Sequence, residues 1–220
     1  MTRPDKREAA LESIRRIGIV PVIRAQTADA AFAVAEALIG AGLAIAEVTM
    51  TVPGALDVIT SILKRFGDRV LVGAGTVTDA ATTQRAIDAG ATFVVTPCLV
   101  TAVIDAARRA DVAVLPGALT PTEVFEAHRH GGDMVKVFPA QSVGGAAYLR
   151  ALRGPFPTIP LVPTGGVTLD TVRDLFDAGA AAVGVGGELI SRDALARRDY
   201  GAIATLATQF LGAVRAARAR

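Results

Sequence analysis

Three short glycine stops, Ala41-Gly42-Leu43, Ala89-Gly90-Ala91 and Ala178-Gly179-Ala180, each follow a helix-patterned stretch and lead straight into a run of apolar, strand-forming residues. A glycine just past the last turn closes a helix and redirects the chain. Its recurrence before apolar runs therefore predicts a repeated βα unit. Eight such runs are present, at 17–25, 43–50, 70–77, 92–97, 112–117, 134–139, 159–166 and 181–186. Helical stretches separate them. From Thr27 the positions Ala31, Val34, Ala35 and Leu38 trace one helix face. Pro53 is expected in the first turn of a helix reaching about Phe66, and further helices are expected to begin near Asp79, Thr101, Thr120, Gly144 and Thr168. In Thr120-Pro121-Thr122-Glu123 the hydroxyl, the proline and the glutamate fall at the three positions of a capping box. An amphipathic helix (residues 1–16) precedes the first strand, and about 193–220 reads as a C-terminal helical segment. Every strand is apolar enough to be covered on both faces, which predicts an α/β chain folded as a single (β/α)8 TIM barrel domain spanning 1–220, with an extra N-terminal helix. The alternative is an open doubly wound sheet, and no GxGxxG follows the first strand to support it.

Composition narrows the classes of function. No apolar run approaches the roughly 18 residues of a membrane span, and the charged opening residues contain no signal core. A cytoplasmic protein with no membrane partner is expected. A single cysteine, Cys98, and two histidines leave neither a disulfide framework nor a metal-ligand spacing, so no metal is expected. A formal charge of +2 and the absence of tryptophan speak against a nucleic-acid partner, and the basic last segment reads as a solvated helix face.

Only three of the 23 Lys and Arg residues are lysines, and one of them, Lys136, sits inside the apolar strand 134–139. Removing an ammonium group from water favours the neutral, nucleophilic amine. The competing reading is a strand-end lysine that snorkels to solvent or pairs with a carboxylate. Strand alternation places Met134, Lys136 and Phe138 on one face, directed into the barrel, and by the same parity Glu47 enters it with Ile45, Thr49 and Thr51. A buried Glu beside a buried Lys is either a structural ion pair or an imine-forming amine with its proton shuttle. Barrel chemistry belongs at the carboxyl ends of the strands, where the other polar candidates are Arg24, Thr76, Thr96, Thr164 and Glu188. Two glycine turns, Gly165-Gly166 and Gly186-Gly187, have the form of the phosphate site after strands 7 and 8.

The motifs PVIR, EVTMTVPGAL, GAGTV, TP, LPG, KVFPA, PTGG and GVGG occur in that order from about Gly18 to Leu189. In this the chain resembles the bacterial 2-keto-3-deoxy-6-phosphogluconate (KDPG) aldolase family, which includes 4-hydroxy-2-oxoglutarate and 2-keto-3-deoxy-6-phosphogalactonate aldolases. The resemblance implies a class I aldolase of carbohydrate metabolism, with no cofactor, assembled as a homotrimer. Lys136 would form the Schiff base with a pyruvate moiety and Glu47 would move the protons. Thr76 would help hold the pyruvate carboxylate, Thr164 would contact hydroxyls of the acceptor portion, and Thr51, Pro97 and Phe138 would line the substrate site. Gly165, Gly166, Gly186 and Gly187 would bind a distal phosphate.

Two departures qualify this. Gluconate-type members carry an arginine where this chain has Thr51, so the carboxylate grip passes to Arg24, an arginine position of the galactonate-type relatives. Glu188 stands where the gluconate enzyme has a phosphate-contacting serine, so either Glu188 points away or the substrate lacks the phosphate. The expected reaction is cleavage of a 4-hydroxy-2-oxo acid, KDPG or a close relative, to pyruvate and an aldehyde. A sugar-phosphate isomerase with Glu47 as base, and a non-catalytic barrel, are the rival readings.

Overall fold

Short apolar strands alternate with helices throughout residues 6–219, the part of the chain that the computed structural model describes. In order these are α1 (Lys6–Ile17), β1 (Ile19–Ile23), α2 (Ala28–Gly40), β2 (Ile45–Thr49), α3 (Ala55–Phe66), β3 (Leu71–Gly75), α4 (Ala80–Asp88), β4 (Phe93–Val95) and α5 (Thr101–Arg109). The second half runs β5 (Ala113–Leu115), β6 (Gly117–Ala118), α6 (Pro121–Arg129), β7 (Val135–Val137), α7 (Gly145–Arg153), β8 (Leu161–Pro163), α8 (Leu169–Asp177), β9 (Val183–Val185), α9 (Arg192–Ala196) and α10 (Tyr200–Arg218).

All strand pairs are parallel. One sheet has the order β5-β4-β3-β2-β1-β9 and the other β6-β7-β8. Thr164 pairs with Gly184 and so joins β8 to β9. At the other seam β5 and β6 are two pieces of one stave, so the sheets curl into a closed barrel of eight staves, as expected. The break in the predicted strand 112–117 has a chemical cause. Pro116 has no N–H to give to the ladder, and beyond it the Gly117 N–H donates to the Thr96 hydroxyl (2.9 Å) instead of to a backbone carbonyl.

The helix signals act as local chemistry dictates. Thr120 and Glu123 form the capping box, and Thr27, Asp79 and Thr168 each cap a helix with the side chain. The stops at Gly42, Gly90 and Gly179 all take left-handed backbone, at φ 90°, 102° and 90°. The face Ala31, Val34, Ala35 and Leu38 is buried. Three boundaries differ from expectation. Pro53 lies before α3, because Gly54 at φ 68° carries the chain off the helical path and the helix starts at Ala55. The first helix runs on to Ile17, and Gly18 at φ 78° separates it from β1, while residues 1–5 of the expected helix lie outside the described residues. The C-terminal segment is two helices, parted near Arg198 at φ 53°.

The end of the barrel opposite the functional rim is tied by charge. Asp133, just before β7, accepts from the Val114 N–H (2.9 Å) and lies 3.5 Å from both Arg7 of α1 and Arg108 of α5. Arg218, at the end of α10, donates to the carbonyls of Arg15 (2.6 Å) and Ala181 (2.8 Å), and its guanidinium lies 4.6 Å from the centre of the Phe176 ring. A methyl group at Gly18 would fall 2.6 Å from that guanidinium, so the turn and the clamp fit each other. Among the described residues no helix is long and apolar enough to cross a membrane.

Candidate active site

In a parallel sheet, laterally paired residues share a face, so the register decides which side chains enter the barrel. Val22 pairs with Glu47 and Glu47 with Gly73, while Lys136 pairs with Gly117 on one side and Val162 on the other. Glu47 and Lys136 are both buried, at 2% and 7% exposure. The buried polar or charged side chains among the described residues are Glu47, Thr49, Thr83, Thr96, Lys136 and Thr164. All but Thr83 lie on barrel staves or at their carboxyl ends.

Room for these side chains comes from glycine on the next stave. A methyl group at Gly75 would fall 2.0 Å from Glu47 Oε1, and one at Gly184 would fall 2.3 Å from Thr164 Oγ1. One at Gly73 would meet the Phe93 ring at 2.3 Å, so Phe93 occupies the space beside the Glu47 level. These glycines were not among the residues expected to matter. Their signal was present in the runs GAG and GVG, but it reads as a site only once the neighbouring strand is known. Gly75→Ala is therefore expected to displace the Glu47 carboxylate and to lower kcat by roughly 10²-fold, the scale of an ångström's misplacement at a reacting group. Steady-state kinetics beside a circular dichroism check of the fold tests this, and unchanged kcat would show that Glu47 has other room.

Burial is the largest influence on Glu47 and pushes its carboxyl above the usual range, against the positive fields of Lys136 and then Arg24, which pull it down. Glu47 Oε1 is buried and has no hydrogen-bond partner among the described residues. A buried acceptor in that condition is an expensive structural feature and a ready proton acceptor. Lys136 Nζ lies 5.1 Å from the centre of the Phe138 ring, and Phe138 is itself 38% exposed at the rim. Arg24 is exposed at the end of β1, one residue beyond the pair Ile23 and Val48.

The remaining expected residues ring this pair. Thr76, at the end of β3, has φ 56°. A β-branched residue there is strained by about 1–3 kcal/mol, and such strain concentrates at functional sites. Pro97 is half-buried beyond β4, following Thr96, whose hydroxyl donates to the Cys98 carbonyl. Thr51 is exposed and hydrogen-bonded to Thr49. Thr164 is buried, and its hydroxyl donates to the Val162 carbonyl (3.2 Å). Gly165 and Gly166 take φ 92° and 73°. The N–H groups of Gly165, Gly166, Gly186 and Gly187 donate to no backbone carbonyl in the turns and loops of the described residues, the condition of an anion cradle. Glu188 is exposed and lines a surface cleft of about 280 Å³ between α8 and α10, with Thr168, Asp170, Leu206 and Phe210.

A parallel barrel with a buried amine, a buried carboxylate of raised pKa and backbone donors at the last two turns has the parts that a Schiff-base lyase of the aldolase class requires. The chain belongs to the KDPG and KHG aldolase family, whose model matches residues 11–206. It is 37% identical over 171 residues to the 2-dehydro-3-deoxy-phosphogluconate aldolase of Pseudomonas aeruginosa, covering 77% of each chain. It is 33% identical over 203 residues to the KHG/KDPG aldolase of Escherichia coli, covering 92% of this chain and 95% of that one. Among solved structures, the KDPG aldolase of Legionella pneumophila, with pyruvate captured as a covalent carbinolamine, is 28% identical and superposes with a TM-score of 0.82 over 90% of this chain and 96% of that one. The resemblance read from the motifs is thus met by family, relatives and fold alike.

Proposed function

We propose that the chain reversibly cleaves a 4-hydroxy-2-oxo acid of the KDPG type into pyruvate and an aldehyde through an imine on Lys136. The observation that carries this is the burial of one lysine and one glutamate in the same barrel interior, with an unpaired carboxylate oxygen. The Lys136 amine attacks C2, water leaves, and the resulting iminium accepts the electron pair when the C3–C4 bond breaks. Glu47 removes the C4 hydroxyl proton as the aldehyde departs and returns a proton to C3 of the enamine. Hydrolysis of the imine then frees pyruvate and the amine. Borohydride with pyruvate tests the reading: a stable adduct on Lys136 is expected, and an unlabelled protein would leave Lys136 and Glu47 as buried structural charges.

In this reading Arg24 grips the substrate carboxylate by charge-assisted hydrogen bonds. Thr76 assists it, Thr164 meets a tail hydroxyl, Pro97 and Phe138 wall the site, and the glycines after β8 and β9 hold a distal phosphate. The position of Glu188 in the α8–α10 cleft supports a carboxylate turned away from that cradle. Arg24→Met is expected to lower kcat/KM by about 10- to 150-fold, the equivalent of about 1.5–3 kcal/mol for a hydrogen bond to a charged group. Pyruvate capture by this variant should weaken in step. An undiminished response to pyruvate would assign Arg24 to the other end of the substrate.

We further propose that residues 1–220 act as one barrel domain, in the cytoplasm, as a homotrimer. The family resemblance supports the trimer, and light scattering should give three times the 22.6 kDa chain mass.

A further inference from the structure

Beyond Pro21 the first stave leans on one neighbour. Its register with β9 ends at Pro21 and Val185, while its register with β2 runs on to Ile23 and Val48. Arg24 leaves the stave at the next residue, exposed at the rim, yet its positive field reaches the buried Glu47 carboxylate. Where that guanidinium stands therefore depends on how β1 ends against β2. The Thr49 hydroxyl adds a side-chain tie at that end. It is fully buried and donates to the Ile23 carbonyl at 3.0 Å, one peptide unit before Arg24. The same oxygen lies 2.8 Å from the Thr51 hydroxyl, so both of its polar contacts are spent at this corner of the barrel. A long side chain gives up conformational freedom when it grips a ligand, and a fixed backbone root lowers that cost.

We propose that Thr49 is a positioning residue for the carboxylate end of the substrate and acts through Arg24, by fixing the carbonyl beside which the arginine leaves β1. The inference rests on the carboxylate role given to Arg24 above. It adds the residue that lets an arginine on β1 serve a site whose reactive groups stand on β2 and β7. A rival route runs through Glu47, which lies two residues back on β2 and shares the interior face. The two routes differ in what they disturb: loss of the tie to β1 weakens carboxylate binding, whereas a shift of Glu47 alters proton transfer.

The test is a double-mutant cycle on Thr49 and Arg24, read by the half-saturating pyruvate concentration for borohydride capture. Thr49→Val is expected to raise that concentration about three- to tenfold, the range of a single neutral hydrogen bond, and Thr49→Ser should restore it. Thr49→Ala repeats the comparison without a methyl group in place of the hydroxyl, should valine disturb the packing. In the Arg24→Met background Thr49→Val should raise the concentration no further, because residues acting through one contact are not additive. The kcat of Thr49→Val and the acid limb of its pH profile should stay close to those of the unmodified chain. Pyruvate capture undiminished in both Thr49→Val and Thr49→Ala overturns the proposal and leaves the hydroxyl a purely structural tie. So does an equal loss with and without Arg24, and so does a displaced acid limb, which is the mark of the route through Glu47. If Arg24→Met itself captures pyruvate as the unmodified chain does, the carboxylate role of Arg24 falls first. Failure of the unmodified chain to capture pyruvate at all overturns the aldolase reading.

Discussion

Lys136→Arg is expected to lower turnover by roughly 10⁴-fold or more, the scale seen when a covalent nucleophile is removed. Arginine keeps a positive charge in the barrel interior acting on Glu47, and so preserves the electrostatic influence that a purely structural lysine would supply. A guanidinium cannot deprotonate to form an imine at any working pH. The substitution thus separates the two readings of this residue. Because Lys136 is only 7% exposed, the larger side chain needs a control for packing. Lys136→Met serves, since it removes the charge at similar length and should be equally inactive. Mass spectrometry after borohydride treatment with pyruvate should find the adduct on the native chain and on neither variant. The other lysines, Lys6 on α1 and Lys64 on α3, are exposed on outer helices and should stay unlabelled. An adduct persisting in both variants would identify a different amine as the nucleophile.

How much of this could be read in advance depended on the range of the interaction involved. The helix ends at Gly42, Gly90 and Gly179 were legible because a left-handed cap is a local event. The inward direction of Lys136 and Glu47 was legible because strand parity is fixed at two residues, and the register bears it out. The start of α3 was misread at Pro53 because proline suits a first helical turn, and the sequence does not say that Gly54 will take φ 68°. The strand 112–117 looked continuous because Pro116 breaks only a ladder bond, which belongs to two strands. For the same reason the space that Gly75 leaves for Glu47 was invisible, as was the hydrogen bond from the Thr49 hydroxyl to the Ile23 carbonyl. Each is a relation between neighbouring staves. In a barrel the strand supplies the reactive group, and the adjoining strand supplies its room and its polarity.

Glu47→Gln shows what that surrounding does to a carboxylate. Glutamine keeps the shape and the buried position but can neither take the C4 proton nor return one to C3. Turnover should fall by roughly 10²- to 10⁴-fold, the range of a positioned acid or base, while Lys136 still captures pyruvate slowly. The pH dependence follows from the raised pKa of Glu47, caused first by burial and only partly offset by Lys136 and Arg24. As the base for cleavage it must be ionised, so kcat/KM of the native enzyme should fall on the acid side at a pH above the ordinary glutamate range, and Glu47→Gln should lose that limb. Stability supplies a second readout with its own sign. The folded chain holds the Glu47 proton more tightly than the unfolded chain, so this group's contribution is fully present below the unfolded pKa and is lost as pH rises through the folded one. Thermal unfolding of Glu47→Gln should therefore show a weaker decline over that interval than the native chain. Near-native turnover together with an unchanged acid limb would remove Glu47 from the proton path and leave its unpaired Oε1 as a structural cost without a chemical use.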